Sequence, residues 1–199
     1  MPQNDSQASS AALTPQVQTL VRAVEAVASF ITRHWLALLN LGMGLFALGP
    51  FLSPILMATG HPIWGRALFL GFGATGCHQL PSRSWFLFGY QVALCQRDVA
   101  FYGSFFLGGV LFSLHRQLRP LNWRLFLLAV APMAVDGLTQ VVGLRESTWL
   151  LRSITGALFG FACVWLLYPR LEQAMQEVQA TLRARTTAVN YNRTLKIDA

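Results

Sequence analysis

Trp35-Leu-Ala-Leu-Leu-Asn-Leu-Gly-Met-Gly-Leu-Phe-Ala-Leu-Gly-Pro-Phe-Leu-Ser-Pro-Ile-Leu-Met57 contains no charged side chain. A helix needs roughly 20 apolar residues to cross the hydrocarbon of a bilayer, and this stretch is long enough. Inside a bilayer the backbone must satisfy its own polar groups, so such a segment is expected to be helical. That reading sets the fold class: an all-α, polytopic membrane helix bundle. Pro50 and Pro54 each remove a backbone donor and are expected to kink the outer half of the span.

Composition agrees. Of 199 residues, 54% are hydrophobic and 12% charged, about half the charged fraction of a soluble domain. The net charge is +7, and fourteen of the fifteen basic residues are Arg, most of them near the ends of apolar segments. Membrane topology explains this charge; no basic stripe with interleaved aromatic residues points to nucleic acid. The N-terminus lacks a basic-then-apolar leader, so no cleaved signal peptide is expected.

Three further spans are expected, at about 99–114, 125–142 and 150–168, the third span (125–142) holding Pro132, Asp136 and Gln140. Residues 63–76 are apolar but short and carry Arg66, which suits a half-buried or re-entrant helix. Residues 77–97 read as an irregular polar loop, with Trp85-Phe86-Leu87-Phe88 dipping into the interface. Residues 1–13 read as a disordered tail. Thr14-Pro15 is a helix start, and apolar residues at helical spacing over 15–33 predict an amphipathic helix. The membrane domain is thus expected over 14–169, followed by a second amphipathic cytosolic helix and tail over 170–199. Packing of the two terminal helices on each other is favoured over a membrane-protein partner docked there.

The densest basic connector, His115 to Pro120 with Arg124 beyond, belongs in the cytoplasm. Four spans then put both termini of a multi-pass plasma-membrane protein inside. Arg66, Arg83, Arg97 and Arg145 fall on the outer side, with Arg152 just inside the fourth span (150–168). They run against the charge bias and call for a function or internal ion pairing.

Polar residues converge at that outer side: Cys77 and His78, Cys95 and Asp98, then Asp136 and Gln140, four apart on one helical face. A carboxylate at the depth of Asp136 needs a partner, either Arg145, Arg152 or a cation. Arg83, Arg97, Arg145 and Arg152 form a candidate anion site, because guanidinium pairs with oxyanions in bidentate fashion. The alternative is salt bridging to Asp98, Glu146 and Asp136. Ser147 and Thr148 read as caps of the fourth span, and Cys163 as packing. Gly156 and Gly160, with Ser104 and Gly108, form small-residue faces for helix contact.

Cys77-His78-Gln79, Arg83-Ser84-Trp85, Cys95-Gln96-Arg97, Asp136-Gly137-Leu138-Thr139-Gln140 and Arg145-Glu146-Ser147-Thr148, closing at Arg152, make a pattern. Over about residues 65–165 it resembles a family of small prokaryotic polytopic membrane proteins, domain of unknown function 2085. The resemblance implies a Cys, His, Cys, Cys set suited to tetrahedral zinc. Here the last position is Asp98, and the family's next glycine is Ala100. Asp can ligate zinc through oxygen, so Cys77, His78, Cys95 and Asp98 are the candidate metal ligands, with Zn the candidate cofactor. A Cys77–Cys95 disulfide, with Asp98 capping a helix, stands beside that reading.

No reaction is specified by these residues. The most coherent enzymatic class is metal-assisted hydrolysis of a phosphorylated or lipid-linked substrate, with His78 and Asp136 as the catalytic candidates. Thiol–disulfide exchange ranks lower, since Cys95 has no neighbouring cysteine. The non-enzymatic alternative is an accessory subunit of a membrane complex or a small transporter. Membrane lipids are the expected partners.

Overall fold

The computed structural model describes residues 14–195, so the tail expected over 1–13 lies outside the described residues. The chain is mostly helical: α1 (Pro15–Ala58), α2 (Pro62–Gly73), α3 (Gln96–Leu114), α4 (Trp123–Val141) and α5 (Trp149–Leu195). Among the described residues three helices, α1, α4 and α5, are long and apolar enough to cross a membrane. The amphipathic 15–33 segment and the 35–57 span form one uninterrupted helix, α1, running through Pro50 and Pro54. In the same way α5 continues through Pro169.

One expectation fails. Residues 77–97 are not an irregular loop. A 3-10 turn at Pro81–Arg83 leads into an antiparallel hairpin of β1 (Ser84–Leu87) and β2 (Tyr90–Cys95), with Ser84 opposite Cys95 and Leu87 opposite Tyr90. Phe88 and Gly89 turn the chain with φ of 53° and 81°. Positive φ at both central residues suits a tight hairpin. The run is apolar almost throughout because Val92, Ala93 and Leu94 are all buried, so the alternation that marks a half-buried strand is missing.

The chain divides into two compact units. The larger is residues 35–175. One of its apolar clusters gathers Trp35, Leu36, Phe112, Val164 and Tyr168; the Trp35 indole lies edge-on to Tyr168 at 5.5 Å and donates to Glu172 Oε2 at 3.1 Å. The second cluster gathers Val92, Leu94 and Val99, with Phe51, Phe72 and Trp85 against it. It seats the hairpin on the helices. The small-residue faces expected on the third and fifth helices do meet. A Cβ on Gly160 would lie 2.5 Å from the Phe101 carbonyl oxygen, and one on Gly108 would lie 3.2 Å from Val164. At Gly160 only glycine permits that backbone approach.

The smaller unit joins the start of α1, to His34, with the end of α5, from Gln176. Gln179 Nε2 donates to the Thr32 carbonyl at 2.7 Å, and Arg185 pairs with Glu25 at 3.7 Å. The two terminal helices therefore pack on each other.

Candidate functional site

The polar residues meet where the C-terminal ends of α2 and α4, the base of the hairpin and the N-terminal ends of α3 and α5 come together. They line a cavity of about 190 Å³ that includes Cys77, His78, Arg83, Cys95, Asp98 and Arg152.

Gln79 builds the wall. Its backbone is left-handed, with φ of 48°. Its side-chain amide donates to the Phe69 carbonyl at 2.6 Å and the Ala93 carbonyl at 2.7 Å. Gln91 in turn donates to the Gln79 carbonyl at 2.7 Å and to Ser84 Oγ at 3.0 Å. These bonds tie the segment after α2 to β2 and so bring Cys77 against Cys95. The sequence reading gave Gln79 and Gln91 no such role. The clue was the glutamine directly after Cys77-His78, a long polar side chain beside apolar backbone in need of donors.

The ligand-type atoms of Cys77, Cys95 and Asp98 all lie within 4.8 Å of one another. His78 is not in that group and lines the same cavity. Both thiols are free. The Cys95 N–H donates to Cys77 Sγ at 3.2 Å, and Cys95 Sγ donates to Asp98 Oδ2 at 3.2 Å. Hydrogen bonding from the Cys95 thiol holds the Cys77 thiol below its ordinary pKa, against the opposing effect of burial. The same hydrogen bond, with burial, pushes the Cys95 thiol up. Of the two thiols, Cys77 is thus the one that gives up its proton more readily.

Asp136, 1% exposed, is a second centre. Arg97 pairs with its Oδ2 and Arg145 with its Oδ1 at 2.8 Å. Ser147 Oγ donates to Oδ2 at 3.0 Å, as does Gln140 Nε2 at 3.0 Å. Arg145 was an expected partner; Arg97 replaces Arg152 as the other. Ser147 is spent on this carboxylate instead of capping a helix. Thr148 keeps the expected capping role and accepts from the Leu151 N–H at 3.3 Å.

Arg152 is 6% exposed and donates to Gln96 Oε1 at 3.3 Å. The Nε groups of Arg97 and Arg152 are buried without a hydrogen-bond partner. Among the described residues Arg83 and Arg152 make no salt bridge. The structure therefore divides the four arginines: Arg97 and Arg145 neutralise Asp136, while Arg83, Arg97 and Arg152 face the cavity.

Residues 77–166 match a family model described as "Predicted membrane protein (DUF2085)". An uncharacterized protein of Methanocaldococcus jannaschii is 42% identical over 97 residues, covering 47% of this chain and 62% of that protein. An uncharacterized protein of Methanothermobacter thermautotrophicus is 35% identical over 85 residues, covering 40% of this chain and 73% of that protein. This chain thus spans less than two thirds of the length of the first relative. No solved structure matches. The matched region holds the thiol pair, the hairpin and the Asp136 centre, and the chain belongs to this family of predicted membrane proteins.

Proposed function

We propose that this is a multi-pass plasma-membrane protein whose outward-facing polar site binds a divalent metal, with zinc the best match, beside an oxyanion. The metal ligands are Cys77, Cys95 and Asp98, with His78 within the same cavity as a fourth group. The chemistry is metal-assisted hydrolysis of a phosphorylated or lipid-linked substrate. The observation that carries the reading is the approach of two sulfurs and a carboxylate oxygen to within 4.8 Å in a cavity that also holds Arg83, Arg97 and Arg152.

The donor set fits the ion. Zinc takes thiolate at about 2.3 Å and carboxylate oxygen at about 2.0–2.2 Å, and three protein ligands leave a position open. The Cys77 thiol already leans toward the thiolate a metal requires. When bound, such a metal polarises an oxyanion and lowers the pKa of bound water. The chain's own residues do the rest. Arg83 and Arg152 hold the oxyanion. Asp136, its oxygens already engaged by Arg97, Arg145, Ser147 and Gln140, orients Arg97. His78 accepts or returns the proton.

The topology belongs to the same proposal. Here α3, of 19 residues, serves as the fourth span alongside α1, α4 and α5, with both termini cytoplasmic. This sets the N-terminus of α3 and the C-terminus of α4 on the outer side, in keeping with the basic 115–124 connector inside.

Elemental analysis of detergent-purified protein tests the reading, with wild type compared to Cys95→Ser and Asp98→Ala. Near-stoichiometric transition metal, lost in both variants, is the expected result. Metal-free protein in every sample, purified without chelator, would remove the metal from the proposal.

A further inference from the structure

The polar cavity does not end at its arginines. His78, Arg83, Arg97 and Gln140 also border a second, larger groove of about 750 Å³, whose other walls come from α4. Those walls are Val130, Met133, Ala134, Gly137, Leu138 and Val141. One space therefore has a cationic end and an apolar length.

From these observations we infer that the site takes an amphiphile: a phosphate-bearing lipid, its headgroup on Arg83, Arg97 and Arg152 and one hydrocarbon chain along α4. The inference rests on the anion reading of the arginines given above and names the substrate class.

Charge supports the headgroup. Arg83, Arg97, Arg145 and Arg152 stand against Asp98, Asp136 and Glu146, so four positive groups meet three negative ones and leave one positive charge over. An anionic phosphate group is drawn to that surplus. Arg152 is 6% exposed, and its Nε has no partner; a buried donor left unpaired is unfavourable until an acceptor arrives. The N-terminal ends of α3 and α5 lie at the cavity, and helix N-termini favour anions.

Length and exposure support the tail. From Val141 back to Val130 the helix rises about 16 Å, roughly half of a 30 Å hydrocarbon core, or one leaflet. Of the apolar window of α4 only 6% is buried, so the groove opens sideways to the bilayer. Gly137 keeps the passage clear beside the headgroup end, since a Cβ there would find only Arg97 Nη1, at 3.9 Å.

The test uses the full chain in detergent. Native mass spectrometry follows titration with dioleoyl phosphatidic acid or dioleoyl phosphatidylcholine. Protection of Arg83 from phenylglyoxal by inorganic phosphate reports the anion site separately. Phosphatidic acid is expected to bind at least tenfold more tightly than phosphatidylcholine. Ala134→Phe and Gly137→Leu, which fill the groove at two heights, are expected to weaken it tenfold or more while leaving phosphate protection intact. Ala134 is exposed, so its variant keeps the fold. Arg83→Gln is expected to weaken phosphatidic acid binding as well.

Wild-type binding of phosphatidic acid by both groove variants would overturn the lipid inference and leave the anion site standing. Phosphate protection without any retained phosphatidic acid would do the same and point to a soluble phosphate. Loss of both signals in the wild type would overturn the anion reading as well.

Discussion

Arg97, in the first turn of α3, closes an ion pair with Asp136 in the last turns of α4, 39 positions away in the chain. The carboxylate is 1% exposed and Arg97 is 20% exposed. The pair joins two helices at the polar end of the larger unit and fixes the guanidinium that borders both the cavity and the groove.

Removing the negative partner should therefore cost more than removing both. Asp136→Asn is expected to destabilise by about 3 kcal/mol, as for an uncompensated buried charge. The Arg145 share of that loss is small, because Arg145 is 47% exposed and solvent screens it. The double variant Asp136→Asn, Arg97→Met should recover much of the loss. Thermal unfolding in detergent measures both; equal melting temperatures for the single and double variants would contradict the buried pair.

The two thiols should differ in reactivity. The Cys77 pKa is lowered and the Cys95 pKa raised, and the thiolate is the nucleophile. At neutral pH, metal-free protein should alkylate at Cys77 before Cys95. As pH falls through the depressed Cys77 value labelling there slows, while the order, Cys77 before Cys95, is kept. Timed maleimide labelling with peptide mass mapping reads the order. Added zinc should slow labelling at both positions.

Gln79 should matter to site formation without touching a substrate. Gln79→Ala removes two donors to the Phe69 and Ala93 carbonyls, each such loss worth about 1–3 kcal/mol when the acceptor is left buried. The expected result is a lower melting temperature with weaker zinc retention, because Cys77 is two residues away. Gln79→Glu should be no better, since a carboxylate places an acceptor against two acceptors. Unchanged zinc retention in Gln79→Ala would show that the segment after α2 holds itself.

Helix contact through glycine gives a stability test. Gly160→Val sets a side chain against the Phe101 carbonyl, which is backbone and cannot yield, and is expected to cost about 2–3 kcal/mol or prevent accumulation. Gly103→Ala is the control. It has open space around it and should be neutral or gain up to about 1 kcal/mol from helix propensity. Detergent melting curves of the two variants should move in opposite directions.

Sidedness is open to direct labelling. With four spans, Glu146→Cys should react with a membrane-impermeant maleimide from outside intact cells, and Arg185→Cys only after lysis. Each is made in a background lacking the native cysteines. Labelling of Arg185→Cys in intact cells would break the four-span arrangement.

The apolar stretch from Trp35 to Met57 by itself determined a helical membrane protein, because backbone in hydrocarbon has few other ways to satisfy its donors and acceptors. The four-residue spacing of Asp136 and Gln140 placed both on one face, and the small residues at 156 and 160 marked a helix contact; periodicity carries that information locally. The hairpin was hidden, since the buried run Val92-Ala93-Leu94 shows no alternation and Phe88-Gly89 is not a strong turn signal. Tertiary structure alone decided that Arg97 and not Arg152 takes Asp136, that Ser147 joins them, and that His78 lines the cavity outside the close group of Cys77, Cys95 and Asp98. Those choices depend on distances between helices far apart in sequence. No local pattern encodes which of four similar guanidinium groups arrives first at one buried carboxylate.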